Sequence, residues 1–434
     1  MNKRLCTVLM VLSGWIVILL PALSEEVAKG EYEIVLQGDG WQLLQGGQPF
    51  YVKGAVGWES YDLLRRCGAN SVRTGANKAS LDRVHQAGLV AMVNLPVRSE
   101  RNKMNWDDEK MVGEQEQRVL QVVHDLKDHP AVMFWAVGNE LDWIPPGAPY
   151  SPRLWTRLNE LAVKIHALDP RHPVLTVIGT SQYEQKIQEM AKQCPDMDLL
   201  GINAYGDLAA VTELTRKYWP KPYVVAEWGP TGHWQVPKTE WRVPIEETSA
   251  EKTRAVYERY TKVIQADKGH CLGSYVFLWG QKQETTHTWY GMFQDGLATE
   301  SVDAMTYLWS GAWPVNRVPA VLSLDVAGFS DRAKVYLQAG QSYEARATCY
   351  DADYDPLTFQ WDIRPEVVIP KDSYAGSGEK PTVPIPGLIQ SENSPGTRFT
   401  APPTEGAYRL FVQVRDGKGH VGYANVPFYV QSRQ

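Results

Sequence analysis

Hydrophobic positions along this chain alternate between two spacings. Short apolar runs of strand length are followed by stretches in which apolar residues recur every three or four positions, the spacing of a helix with one buried face. Starting at Phe50, the pattern predicts strands at 50–56, 70–74, 89–95, 131–140, 174–178, 199–203, 223–229 and 272–278. Between them it predicts helices at 60–67, 78–87, 109–127, 152–168, 183–193, 208–218 and 250–266. Ser151 and Ser249 are the expected N-caps of the helices that follow them, with Pro152 in the first turn. A strand-like lead-in and a Gly-rich turn occupy 31–47. Such alternation predicts parallel βαβ units, and eight of them a closed (β/α)8 barrel. An open doubly wound sheet would need a switch point and usually a Gly-rich phosphate loop, and neither is found.

Two of the strands end alike. Ala131–Glu140 is a continuous apolar run closing on Asn139 and Glu140, and Tyr223–Gly229 is another, carrying Glu227 near its end. Barrel enzymes place their chemistry where strands end, so two strand-end carboxylates point to one shared site. A chemistry that needs two carboxylates is glycoside hydrolysis: one protonates the leaving oxygen while the other attacks the anomeric carbon or activates water.

The residues around these acids resemble a known family. Gly138-Asn139-Glu140 on the fourth strand and Ala226-Glu227-Trp228-Gly229 on the seventh resemble the signatures of retaining clan A glycosidases. Together with His129-Pro130, Asn70-Ser71-Val72-Arg73-Thr74 and Gly201-Ile202-Asn203-Ala204-Tyr205, they are most similar to the catalytic barrel of glycoside hydrolase family 2 or a sister family. The resemblance covers about residues 48–313. It implies Glu227 as nucleophile, ionised and held at low pKa by Arg73, and Glu140 as general acid and then base. It further implies Asn139 on the sugar 2-hydroxyl, Tyr205 donating to Glu227, and Trp279 as a platform for the sugar ring. The competing reading of Arg73 is a surface ion pair; of Tyr205 and Trp279, barrel packing. Two departures stand out. The loop after Arg73-Thr74 runs Gly75-Ala76-Asn77 without the family's usual histidine, and the β-rich region follows the barrel, whereas that family usually carries β-domains ahead of it.

Sixteen tryptophans are many for 434 residues. Trp58, Trp106, Trp143, Trp228, Trp234, Trp241 and Trp289 fall in predicted loops, where flat rings stack on sugar faces. Together they favour an oligo- or polysaccharide, although loop packing is the simpler reading of each alone. Asp142, Glu59, Glu284 and Asp295 also lie in loops, as do His233 and His287, but none ends an apolar run. No metal-ligand spacing joins them. The expectation is therefore a retaining β-glycoside hydrolase acting on a β-linked glycan, with no cofactor and no catalytic metal. The alternatives are a transglycosylase of the same mechanism and a non-catalytic glycan-binding protein.

Beyond Pro314 the pattern changes to short strands, among them AKVYLQA, YEARATCY, LTFQWDI, YRLFVQVRD and ANVPFYV, with a Pro-, Gly- and Ser-rich loop over 370–398. This spacing predicts a β-sandwich. Asp351-Ala352-Asp353-Tyr354-Asp355-Pro356 and Asp416-Gly417-Lys418-Gly419 resemble bacterial immunoglobulin-like or cadherin-like modules. The alternating aspartates have the chemistry of a calcium loop or of a solvated turn. The resulting fold class is α/β: a (β/α)8 TIM barrel over 25–317 followed by a small all-β immunoglobulin-like sandwich over 318–434.

Residues 1–24 begin with Lys3 and Arg4, run apolar from Leu5 to Leu20 and end Pro21-Ala22-Leu23-Ser24, the layout of a secretory signal. A retained anchor is the alternative, but the run is short of the ~20 residues a span needs. A secreted or periplasmic protein is expected, with no stable membrane span unless this segment is kept. The formal charge of −6 falls to −8 once Lys3 and Arg4 leave, which disfavours nucleic acid as a partner. Cys67, Cys194, Cys271 and Cys349 have the irregular spacing of buried thiols or of one bridge. Oligomeric state is left open.

Overall fold

The computed structural model describes residues 31–144, 150–367, 379–391 and 393–432. The signal segment at 1–24 and part of the 370–398 loop lie outside the described residues. Eight parallel strands close into a barrel: β1 (Val52–Gly57), β2 (Ser71–Gly75), β3 (Val90–Asn94), β4 (Val132–Asn139), β5 (Val174–Ile178), β6 (Leu199–Asn203), β7 (Tyr223–Trp228) and β8 (Cys271–Trp279). Each is followed in turn by a helix: α1 (Tyr61–Arg66), α2 (Lys78–Gln86), α3 (Glu109–Leu126), α4 (Leu154–Leu168), α5 (Tyr183–Gln193), α6 (Leu208–Tyr218), α7 (Ser249–Arg259) and α8 (Glu300–Ser310).

Two apolar layers hold this arrangement. Met92, Phe134, Leu175, Leu199, Val224 and Tyr275 fill the barrel interior, and Tyr32 and Leu43 of a hairpin (Tyr32–Gln37, Gly40–Gln45) close it from below. Trp135, Leu158, Ile165 and Ile187 belong to the outer layer between strands and helices.

The helix starts differ from the expected ones. α4 begins at Leu154, and the Ser151 hydroxyl accepts the Arg153 N–H instead of capping the helix. α7 is capped by Thr248 in a capping box with Glu251, so Ser249 is already helical. After Arg259 it continues as a π-segment (Tyr260–Ile264) and a short 3-10 turn. α8 escaped the sequence reading because its buried face carries acids: Asp303 accepts from Arg317 and from the Val318 N–H, and Glu300 from Ser249.

The C-terminal region forms two sheets. One orders β9 (Ala320–Val326), β11 (Ser342–Tyr350) and β13 (Gly396–Thr400). The other orders β10 (Tyr336–Gln338), β15 (Val421–Gln431), β14 (Gly406–Arg415) and β12 (Thr358–Pro365). Trp361, Phe399, Leu410, Val412 and Phe428 join them in one shared core. This region is fastened to the barrel by buried polar groups. Glu246 pairs with Lys252 at 2.5 Å and accepts from Asn425 Nδ2 at 2.7 Å, while Arg409 donates to Asn425 Oδ1 at 2.7 Å and to the Pro244 carbonyl. The four described cysteines are unpaired, and no described helix is long and apolar enough to cross a membrane.

Candidate active site

Both glutamates stand on the rim formed by the C-terminal ends of the strands. β4 leaves the barrel through a sharp bend, with Gly138 at φ +82° and Glu140 at +47°. A Cβ on Gly138 would lie 2.4 Å from Leu141 Cδ1 at a φ that other residues rarely adopt, so this turn favours glycine. The Glu140 N–H donates to the Val177 carbonyl at 2.8 Å, and its Oε1 accepts from Asn203 Nδ2 at 2.9 Å.

Glu227 reaches the same rim through an irregularity. Along β7, Val224 and Ala226 face the interior and Val225 faces the helices. Simple alternation would then turn Glu227 outward and Trp228 inward. The ladder to β6 shifts register between Val225 and Glu227, and the slip reverses both directions. Tyr205 Oη donates to Glu227 Oε1 at 2.6 Å, and Arg73 Nη1 lies 3.5 Å from Oε2.

Arg73, only 4% exposed, ties the site together. Its Nε donates to Asn94 Oδ1 at 3.1 Å, Nη1 to the Ala226 carbonyl at 3.0 Å and to Asn203 Oδ1 at 3.4 Å, and Nη2 to Asn139 Oδ1. Asn203 Nδ2 donates to Asn139 Oδ1 as well, at 3.0 Å. Thus Asn203 and Arg73 link Glu140 to Glu227 by an unbroken set of polar contacts. Burial raises the Glu227 pKa to about 7, with Glu140 adding to the rise and Arg73 and Tyr205 opposing it. This overturns the expectation of a low value, because Arg73 does not fully offset the loss of water around the carboxylate.

Two predicted sugar contacts fall elsewhere. Trp228 is fully buried in the outer layer, stacked on Tyr260 at 5.9 Å. Trp279 is fully buried there too, packed edge-on against Phe293 with its Nε1 donating to the Ser60 carbonyl. The β8 ladder to β1 shifts between Phe277 and Trp279, which turns Trp279 away from the mouth. Phe277 lines the site instead, against Tyr205 and Tyr290.

Of the loop tryptophans, Trp234 (52% exposed) stands edge-on to Tyr205, Trp58 (53%) lies beside Gly280, and Trp143 carries the Arg101 guanidinium over its ring. Trp106 and Trp289 are buried, and Trp241 packs on Tyr336 and Tyr429 of the C-terminal sheets. Among the other acids, Asp142 is buried against Lys186, and Glu284 pairs with His233 and Lys282 beside the site. Glu59 makes no described contact with the pair, and Asp295 faces Arg415. His287 packs on Phe411, and burial, reinforced by Arg364, pushes its pKa down to about 4.

The sequence reading assigned no role to Asn94, Asn203, Phe277 or Lys282. For the two asparagines a signal existed: each closes an apolar strand, as Asn139 does. Among the described residues, the one group of three side chains close enough to share an ion is Asp351, Asp353 and Asp355, in the C-terminal region.

The description "Glycosyl hydrolases family 2, TIM barrel domain" matches residues 58–300. No curated protein matches the chain. Among solved structures, Bacteroides uniformis beta-glucuronidase 2, covalently bound to cyclophellitol-6-carboxylate aziridine, aligns with a TM-score of 0.50 and 15% identity over 93% of this chain and 48% of that one. Bifidobacterium dentium beta-glucuronidase complexed with coumarin-3-O-glucuronide gives 0.49 and 17%, over 64% and 49%. A beta-mannanase from the blue mussel Mytilus edulis gives 0.41 and 12%, over 64% and 97%. The chain spans about half the length of the two glucuronidases, and at 15% identity the likeness to the first is one of fold.

Proposed function

Since the chain belongs to glycoside hydrolase family 2, we propose that it is a retaining β-glycoside hydrolase with Glu227 as nucleophile and Glu140 as general acid and base. The observation that carries this reading is the polar linkage of the two carboxylates through Asn203 and Arg73 on one barrel rim. In the first step the Glu227 carboxylate attacks the anomeric carbon while Glu140 protonates the departing oxygen, leaving a covalent glycosyl ester. In the second, Glu140 takes a proton from water, the water oxygen attacks the anomeric carbon, and Glu227 departs as carboxylate. Forming the ester removes the negative charge of Glu227, so the Glu140 carboxylate left by the first step faces no like charge across the gap when the water arrives.

The neighbours divide the remaining work. Tyr205 and Arg73 hold the two Glu227 oxygens and fix their direction of attack. Arg73 and Asn203 both donate to Asn139 Oδ1, which orients the amide and leaves its N–H groups for the sugar 2-hydroxyl. Phe277, Trp234 and Trp58 offer apolar faces for more than one ring, which favours a β-linked oligo- or polysaccharide. The basic and apolar N-terminal segment supports action outside the cytoplasm.

The test is a panel of β-linked oligosaccharides assayed with the parent chain and with Glu227→Ala, the product anomer being followed by NMR. Turnover with retained configuration, lost in the variant, is expected. An inverted first product, or undiminished turnover in Glu227→Ala, would end this assignment.

A further inference from the structure

Two loops of the C-terminal sheets meet beside the segment that leaves the barrel. The first, between β11 and β12, carries Asp351, Asp353 and Asp355, and one carboxylate oxygen of each lies within 4.8 Å of the others. Asp351 is 7% exposed. Its Oδ1 accepts the backbone N–H groups of Asp353 and Asp355 at 3.0 and 2.9 Å, which wraps the loop around it. Its Oδ2 is buried and takes no hydrogen bond among the described residues. The Asp355 side chain is 9% exposed; Oδ1 pairs with Lys418 at 2.6 Å, and Oδ2 is again buried and unpartnered. Asp353 Oδ2 accepts the Arg317 N–H at 2.6 Å.

A buried carboxylate oxygen without a donor is expensive, and two in one small cluster are more so, since like charges add to the loss of water. Lys418 brings a single positive charge to three carboxylates, from a half-exposed side chain paired with Asp355 Oδ1. His420 is occupied by Asp416 at 2.6 Å. Among the described residues, no cation pairs with either of the two orphaned oxygens.

We propose that Asp351, Asp353 and Asp355 bind a calcium ion. The donors are all hard carboxylate oxygens, a set that does not suit zinc or copper. Calcium accepts six to eight oxygens in loose geometry and fills its remaining positions with water, whereas magnesium holds its own waters in a strict octahedron. The site also lies at a junction. Arg317 belongs to the segment between α8 and β9, and Lys418 sits in the β14–β15 turn, where the Gly419 carbonyl accepts the Ala298 N–H of the barrel at 3.0 Å. An ion here fastens the loop to the barrel–sheet contact. Its effect is on stability, not on the chemistry at the barrel mouth.

The experiment uses the full chain, stripped with chelator and dialysed. Bound calcium is measured at equilibrium, and thermal unfolding is followed with added calcium chloride or magnesium chloride. About one calcium per chain is expected, with Tm rising by several degrees in calcium and much less in magnesium. Asp351→Asn and Asp355→Asn lose both responses. Asp353→Asn, at an exposed position the fold tolerates, weakens binding severalfold. No bound calcium and no Tm change in the parent chain, or an undiminished response in all three variants, would overturn the proposal and leave Lys418 as the cluster's counter-ion.

Discussion

Tyr205 donates its hydroxyl proton to Glu227 across neighbouring strands at 2.6 Å, binding one carboxylate oxygen while Arg73 faces the other at 3.5 Å. These two contacts oppose a burial that lifts the Glu227 pKa to about 7. A carboxylate held there changes charge within the working range of an enzyme.

The first prediction concerns rate against pH. In the proposed mechanism attack needs Glu227 ionised, so kcat/KM should fall about tenfold per unit as pH drops below about 7, reporting the free enzyme. Tyr205→Phe removes a group that lowers this pKa and should shift the acid limb to higher pH while cutting kcat. A pH profile of both proteins checks it; an acid limb near pH 4.5 in the parent chain would contradict the burial argument.

Stability should depend on the same group with the opposite sense. The folded pKa lies above the ordinary carboxylate value of 4.5, so the native state holds its proton more tightly than the unfolded chain. The stability this provides is complete below pH 4.5 and is lost as pH rises through about 7. Glu227→Gln, which resembles the protonated form, should therefore stabilise the fold above pH 7 by up to about 3 kcal/mol, with the gain vanishing near pH 4.5. Thermal melts across pH 4 to 8 measure it.

In the proposed mechanism Glu140 acts on the leaving group, which separates its role from that of Glu227. Glu140→Gln should lose roughly 10²–10⁴-fold in kcat/KM for a sugar leaving group, but far less for an activated aryl glycoside that departs without a proton. Comparing the two substrates is the measurement. Equal losses on both would mean that Glu140 is not the acid.

The tryptophans should divide by location. Trp228→Ala and Trp279→Ala empty the outer layer and should cost about 3–5 kcal/mol of stability. Trp58→Ala and Trp234→Ala should leave Tm nearly unchanged and raise KM for longer substrates. Melting curves and steady-state kinetics on the four variants test the division.

At the barrel–sheet contact, Lys252→Met leaves Glu246 buried without its cation and should cost about 3–5 kcal/mol. The double variant with Glu246→Gln should recover a large part of that loss. Chemical denaturation of the full chain resolves the two.

The alternation of apolar runs and helical stretches carried the barrel plainly, because each element must bury one face and its spacing records which. Glu140, Glu227, Arg73, Asn139 and Tyr205 were legible for a related reason: polar residues at the ends of apolar strands have the rim as their outlet. Trp228 was read as a loop residue and Trp279 through the family resemblance, and neither reading shows where strand alternation breaks. Register shifts in β7 and β8 reverse that alternation at the residues concerned, and such a slip is set by pairing with β6 and β1, not by local sequence. The Asn203 bridge and the lifted pKa of Glu227 likewise depend on which strands are neighbours and how much water the closed barrel excludes. Sequence alone determined the frame and most of the chemical groups; only the folded chain decided where they point and what charge they carry.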